Sequence, residues 1–100
     1  ELLGIGLQNH IPIQIVDERN RIRMIGAGIT IEKEKQFGKF VSLIPYTNIV
    51  KGLTLTGFKY PLDHYDFRGF CSLGVSNEII AESAQITFED GILIVIEARD

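Results

Sequence analysis

Apolar and polar positions alternate with a period of two along much of this 100-residue chain. Ile13 and Ile15 flank Gln14, Ile22 and Met24 alternate with Arg21 and Arg23, and Ile29 and Ile31 flank Thr30. Successive side chains of a strand point to opposite faces, so this spacing predicts strands half-buried along one side. Leu53 and Leu55 alternate with Thr54 and Thr56, Ile86 and Phe88 flank Thr87, and β-branched residues, which suit a pleated surface, are frequent throughout. Two runs depart from the rhythm. "ILIVIEA", Ile92 to Ala98, is apolar at nearly every position and predicts a strand covered on both faces. "KFVSLIPY" reads similarly and ends where Pro45 removes an amide donor. Between the runs, "DERN" at Asp17 to Asn20, "GAG" at Gly26 to Gly28, "EKEKQFG" at Glu32 to Gly38 and "EDG" at Glu89 to Gly91 each read as a chain reversal. Strands at a spacing of roughly 8–12 residues with such punctuation argue for an antiparallel sandwich or barrel. "NEIIAESA", Asn77 to Ala84, reads as a turn of helix or the bulged start of a strand.

Length and composition narrow the function classes. One hundred residues suit one domain with one core. Apolar residues make up 45% of the chain, but they come in short bursts, far from the roughly 20 in succession that a membrane helix needs. The net charge is −3 and the basic residues are scattered, so the stripe of positive charge that a nucleic-acid backbone selects is missing. Neither membrane nor nucleic acid is expected as a partner. Cys71 is the sole cysteine and no signal-peptide pattern opens the chain, which makes a reducing, cytoplasmic setting the expectation. The first ten residues, "ELLGIGLQNH", break the rhythm with two glycines. They read as a joint to a preceding domain or as an ordinary N-terminal strand or loop, with the sandwich running from 11 to 100.

No motif of catalysis emerges from the residues. The glycine pairs Gly4/Gly6 and Gly26/Gly28 lack the third glycine and the Gly-Lys-Ser/Thr of phosphate loops, and read as turns. His10, His64 and Cys71 stand at no spacing typical of zinc sites. Ser42, Ser72, Ser76 and Ser83 lie in no nucleophile-elbow pattern. The acidic pairs Asp17/Glu18 and Glu89/Asp90 fall in predicted turns, where solvated turn residues are the ordinary explanation. A nucleotide with Mg²⁺ would need converging carboxylates and phosphate-cradling amides, which this pattern does not offer.

One stretch remains, "GFKYPLDHYDFRGFCSLGVSNE", Gly57 to Glu78, which holds Phe58, Tyr60, Tyr65, Phe67 and Phe70 among charged residues. Alternation sets Phe58 and Tyr60 on one face and Lys59 on the other before Pro61 stops the strand. A flat ligand ring stacked on Tyr60, with Ser76 and Asn77 on its polar edge and Gly74 allowing close backbone approach, would make a small-ligand pocket. The residues alone favour a plainer account, an aromatic hairpin in the core and a Ser-Asn turn or cap. A third possibility is a stand-alone sandwich whose aromatic cluster forms an exposed protein-binding patch.

"VSLIPYTNIVKGLTLTGFKYPL", "GVSNEI" and the terminal "GILIVIEARD" resemble, in order and spacing, the C-terminal domain of bacterial thiamine pyrophosphokinases, from about Ile13 to Asp100. The resemblance implies an all-β fold, an antiparallel, jelly-roll-like β-sandwich in a single domain that follows an α/β catalytic domain. It implies an enzyme that moves pyrophosphate from ATP to thiamine, with Mg²⁺ and ATP held by that other domain and no catalytic residue or metal ligand in this one. It further implies a homodimer, with the thiamine site where one subunit's sandwich meets the other's catalytic domain. The residues that match the family's thiamine contacts are Tyr60 for stacking and Ser76 and Asn77 for hydrogen bonding. Tyr60 stands where animal relatives carry tryptophan, and Gly74 where some relatives carry a small polar residue, which removes any side-chain contact there.

Overall fold

The computed structural model describes residues 14–68 and 76–99. Within them the chain forms nine strands: β1 (Gln14–Val16), β2 (Asn20–Ile25), β3 (Ile29–Glu32), β4 (Phe40–Pro45), β5 (Ile49–Thr56), β6 (Leu62–Arg68), β7 (Asn77–Glu78), β8 (Ser83–Thr87) and β9 (Leu93–Ala98). All pairings are antiparallel. They build a five-stranded sheet, β1-β2-β9-β4-β7, and a four-stranded sheet, β3-β8-β5-β6. Of the two all-β architectures that alternation and turn spacing left open, the observed one is the sandwich, as the family resemblance implied. A single 3₁₀ turn, Lys33–Lys35, is the helical element among the described residues.

The turns do more varied work than reversal. "DERN" closes a hairpin between neighbouring strands β1 and β2. "GAG", "EKEKQFG" and "EDG" instead carry the chain from one sheet to the other, so β2, β3, β4, β8 and β9 alternate between layers. The segment read as helix or bulged strand is neither a helix nor one continuous strand. Asn77–Glu78 pair with β4, Ile79 bridges to Phe58, and after a turn Ser83 opens β8 in the opposite sheet.

Between the layers lies a core of Val41, Val50, Leu53, Leu55, Phe58, Phe67, Ile79, Ile86, Leu93 and Val95 with their neighbours. Strand β9 is central in the larger sheet, flanked by β2 and β4, and register fixes which residues share each face. Leu93, Val95 and Glu97 face inward; Ile94 and Ile96 face outward and are half-buried. The apolar run Ile92 to Ala98 thus contributes one face to the core and one to the outside of the sandwich. Across the strands, Ile15, Ile22 and Ile96 form one outer row, and Met24, Ile94 and Ile44 the next.

Candidate functional site

The aromatic stretch departs from a strand at Gly57. Its φ is +79°, and a side chain built there would meet the Ser83 carbonyl oxygen and Ala84 of β8, so glycine lets the chain turn out of β5 while lying against its neighbour. The next residues run beside 78–80. Ile80 donates its N–H to the Gly57 carbonyl at 2.9 Å and Lys59 donates to the Glu78 carbonyl at 2.8 Å. Because this is one isolated bridge and not a regular strand, alternation fails: Phe58 is buried in the core, whereas Tyr60 is 48% exposed.

Asn77 completes the arrangement. Its Oδ1 accepts the N–H groups of Tyr60 at 2.9 Å and Glu78 at 3.0 Å, and its Nδ2 donates to the Tyr60 carbonyl at 2.8 Å. The side chain is buried, at 7% exposure, next to Val41 on the inner face. Above the Tyr60 ring, Lys59 Nζ lies 5.5 Å from the centroid, within the range of cation–π attraction. Glu78 lies between two ammonium groups, Lys59 at 3.9 Å and Lys39 at 3.8 Å.

The predicted site residues therefore divide. Tyr60 and Asn77 are brought into direct contact through the backbone. Ser76 is exposed, and its Oγ lies 3.4 Å from Oγ of Ser42, an outward-facing residue of β4 paired with Ile96. The described contacts thus set the Ser76 hydroxyl on the outer side of the sheet and the Asn77 amide on the inner side. Gly74, with Phe70 and Cys71, lies outside the described residues. Of the remaining aromatics, Phe67 is core and Tyr65 is partly exposed, so the cluster divides between packing and surface. His64 is exposed beside Asp63, and among the described residues no group of three or more His, Cys, Asp or Glu side chains is placed to hold a metal ion. Asp17 accepts the N–H groups of Arg19 and Asn20, which hold its carboxyl below the ordinary aspartate value and make it a turn residue.

A charged cluster escapes a reading based on hydrophobic alternation. Arg21 and Arg23 face inward, opposite the fully buried Glu97 and Val95, and both donate to Glu97 Oε2 at 2.8 and 2.9 Å. Burial presses the Arg23 pKa downward, partly offset by Glu97. Arg99, from the terminal "ARD", stacks on Phe37 at 3.9 Å and donates to the carbonyls of Phe37 and Glu18. These are fastenings of the fold, and the only sequence signal for them is that two arginines and a glutamate interrupt apolar strands.

Fold and site together define a β-sandwich domain that presents an exposed aromatic ring on a backbone held by a buried amide. Residues 28–93 match the family model described as thiamin pyrophosphokinase, vitamin B1 binding domain, and the chain belongs to that family. The thiamine pyrophosphokinase of Bacillus subtilis (strain 168) is 38% identical over 101 residues, covering 100% of this chain and 47% of the relative. A crystal structure of thiamine pyrophosphokinase from B. subtilis superposes with a TM-score of 0.91 at 37% identity, over 99% of this chain and 46% of that one. One from Geobacillus thermodenitrificans gives 0.80 at 33% identity, over 99% and 46%. The thiamin pyrophosphokinase of Candida albicans shares the fold, with a TM-score of 0.77 at 17% identity, over 97% and 37%. The chain spans about half the length of the curated relative it matches.

Proposed function

We propose that this chain is the thiamine-binding half of a cytoplasmic thiamine pyrophosphokinase, in which residues 1–10 link a catalytic domain to a sandwich spanning 11–100. The exposed Tyr60 ring carries the reading. Thiamine carries its positive charge on one of two flat rings, and an aromatic face that already accepts the Lys59 ammonium suits it, contributing about 0.5–2 kcal/mol beyond burial. Ser76, Asn77 and Gly74 are the remaining thiamine-binding residues. The reading assigns Mg²⁺ and ATP, with the charge stabilisation of pyrophosphoryl transfer, to the catalytic domain. The sandwich contributes orientation of the acceptor hydroxyl and exclusion of water. It also forms the homodimer, and the outer rows of isoleucine on the larger sheet favour a second copy as the partner.

Calorimetric titration of the natural full-length protein with thiamine tests the assignment. Tyr60→Ala should weaken binding about tenfold, the loss of a desolvated cation–aromatic contact. With thiamine, ATP and Mg²⁺, the full-length protein should form thiamine diphosphate and the 100-residue chain alone should form none. Unchanged affinity in the variant would remove Tyr60 from the site, and product from the short chain would remove the second domain from the chemistry.

A further inference from the structure

We infer that Asn77 is a positioning residue, acting on thiamine chiefly through Tyr60; the inference rests on the thiamine-site reading above. Hydrogen-bond capacity carries it. A carboxamide has two acceptor lone pairs and two N–H donors. Both lone pairs of Asn77 Oδ1 are taken, by the N–H groups of Tyr60 and Glu78, and one donor is taken by the Tyr60 carbonyl. One N–H is left for a ligand, on a side chain that is 7% exposed.

The bonded pair on Tyr60 is its own N–H and C=O, the two groups a neighbouring strand would engage. Main-chain pairing between the two segments runs through Gly57 with Ile80 and Lys59 with Glu78. It cannot run on past Tyr60, because Pro61 has no N–H. The Asn77 amide instead bonds both main-chain groups of Tyr60 and so ties the two segments together one residue beyond the last main-chain bond. Tyr60 is nearly half exposed, with a ring that touches solvent and the flexible Lys59 side chain. Its backbone sets where that ring stands, and Asn77 sets the backbone.

A double-mutant cycle on the natural full-length protein, read as the Kd for thiamine, separates positioning from direct contact. Tyr60→Ala and Asn77→Ala should each weaken binding about tenfold, and the double variant should be within about twofold of Tyr60→Ala, since residues acting as one unit are not additive. Where Asn77→Ala does not fold, Asn77→Ser, which stays polar but is too short to bridge the Tyr60 N–H and C=O, takes its place. Without ligand, the Tyr60 amide should exchange with solvent at least about tenfold faster in the Asn77 variant, by loss of a buried hydrogen bond. Additive losses, about 100-fold in the double variant, would overturn the inference and return Asn77 to direct contact or to general stability. So would an Asn77 variant with undiminished affinity, or unchanged exchange at Tyr60. An inert Tyr60→Ala would instead overturn the site reading itself.

Discussion

Glu97 carries a charge at a fully buried position, between Val95 and the outer end of β9. It is held there because Arg21 and Arg23 meet one of its oxygens and the Phe37 N–H, at 3.3 Å, meets the other. Removing one partner of such a group leaves the others desolvated and unpaired. Glu97→Ala is expected to lower stability by about 2–3 kcal/mol, less than for a fully enclosed pair because the arginines keep some solvent; urea denaturation checks it. The β2 alternation was legible as a strand but its faces were not. The arginines face the core side, and Ile22 and Met24 lie on the outer face. Period two reports that two faces differ, and only the partner strand decides which is inside. At Tyr60 and Asn77 the sequence named residues that the fold brings together, while their link through backbone groups has no signature in side-chain type.

Among the elements, β2, β3, β5, β8 and β9 follow from alternation or apolar runs, but β6 does not. Leu62 to Arg68 is an edge strand in which Phe67 alone is buried, and its pairing with β5 shifts register between Val50 and Leu53 and again before Leu55. Each shift breaks the period that would have revealed it. The β1–β2 hairpin was legible from "DERN", and its chemistry gives a pH dependence. The Asp17 carboxyl is held below the ordinary value of 3.8 by the N–H groups of Arg19 and Asn20. A depressed carboxyl stabilises the fold above its ordinary value and loses that contribution as pH falls through the folded one. Asp17→Ala should therefore lower the Tm at neutral pH by an amount that holds to about pH 5 and narrows on further acidification. A Tm difference that grows in acid would contradict this origin.

At the scale of the molecule, a sandwich or a barrel was legible from turn spacing, but which turn joins which layer was not, since the change of sheet at Gly26 to Gly28 and the hairpin at Asp17 to Asn20 are both marked only by ordinary turn residues. The outer face of the larger sheet places Ile94 between Met24 and Ile44. If this face meets a second copy, Ile94→Glu in the natural full-length protein should shift sedimentation from dimer towards monomer, because a charge buried without a partner opposes association, while the β-sheet circular dichroism is retained. A dimer that persists would remove this face as the interface.

The central place of β9 also orders events during synthesis. Its neighbours β2 and β4 are made 48 to 78 residues earlier in the chain, as the pairs Pro45 with Leu93 and Asn20 with Ala98 show. Until Ala98 emerges from the ribosome, the larger sheet has no middle and both neighbours expose unpaired edges with apolar side chains. Such non-local closure slows folding and leaves nascent chains open to wrong pairing. A truncation that removes only the last eight residues would therefore cost the domain its whole larger sheet, and not merely one strand of it.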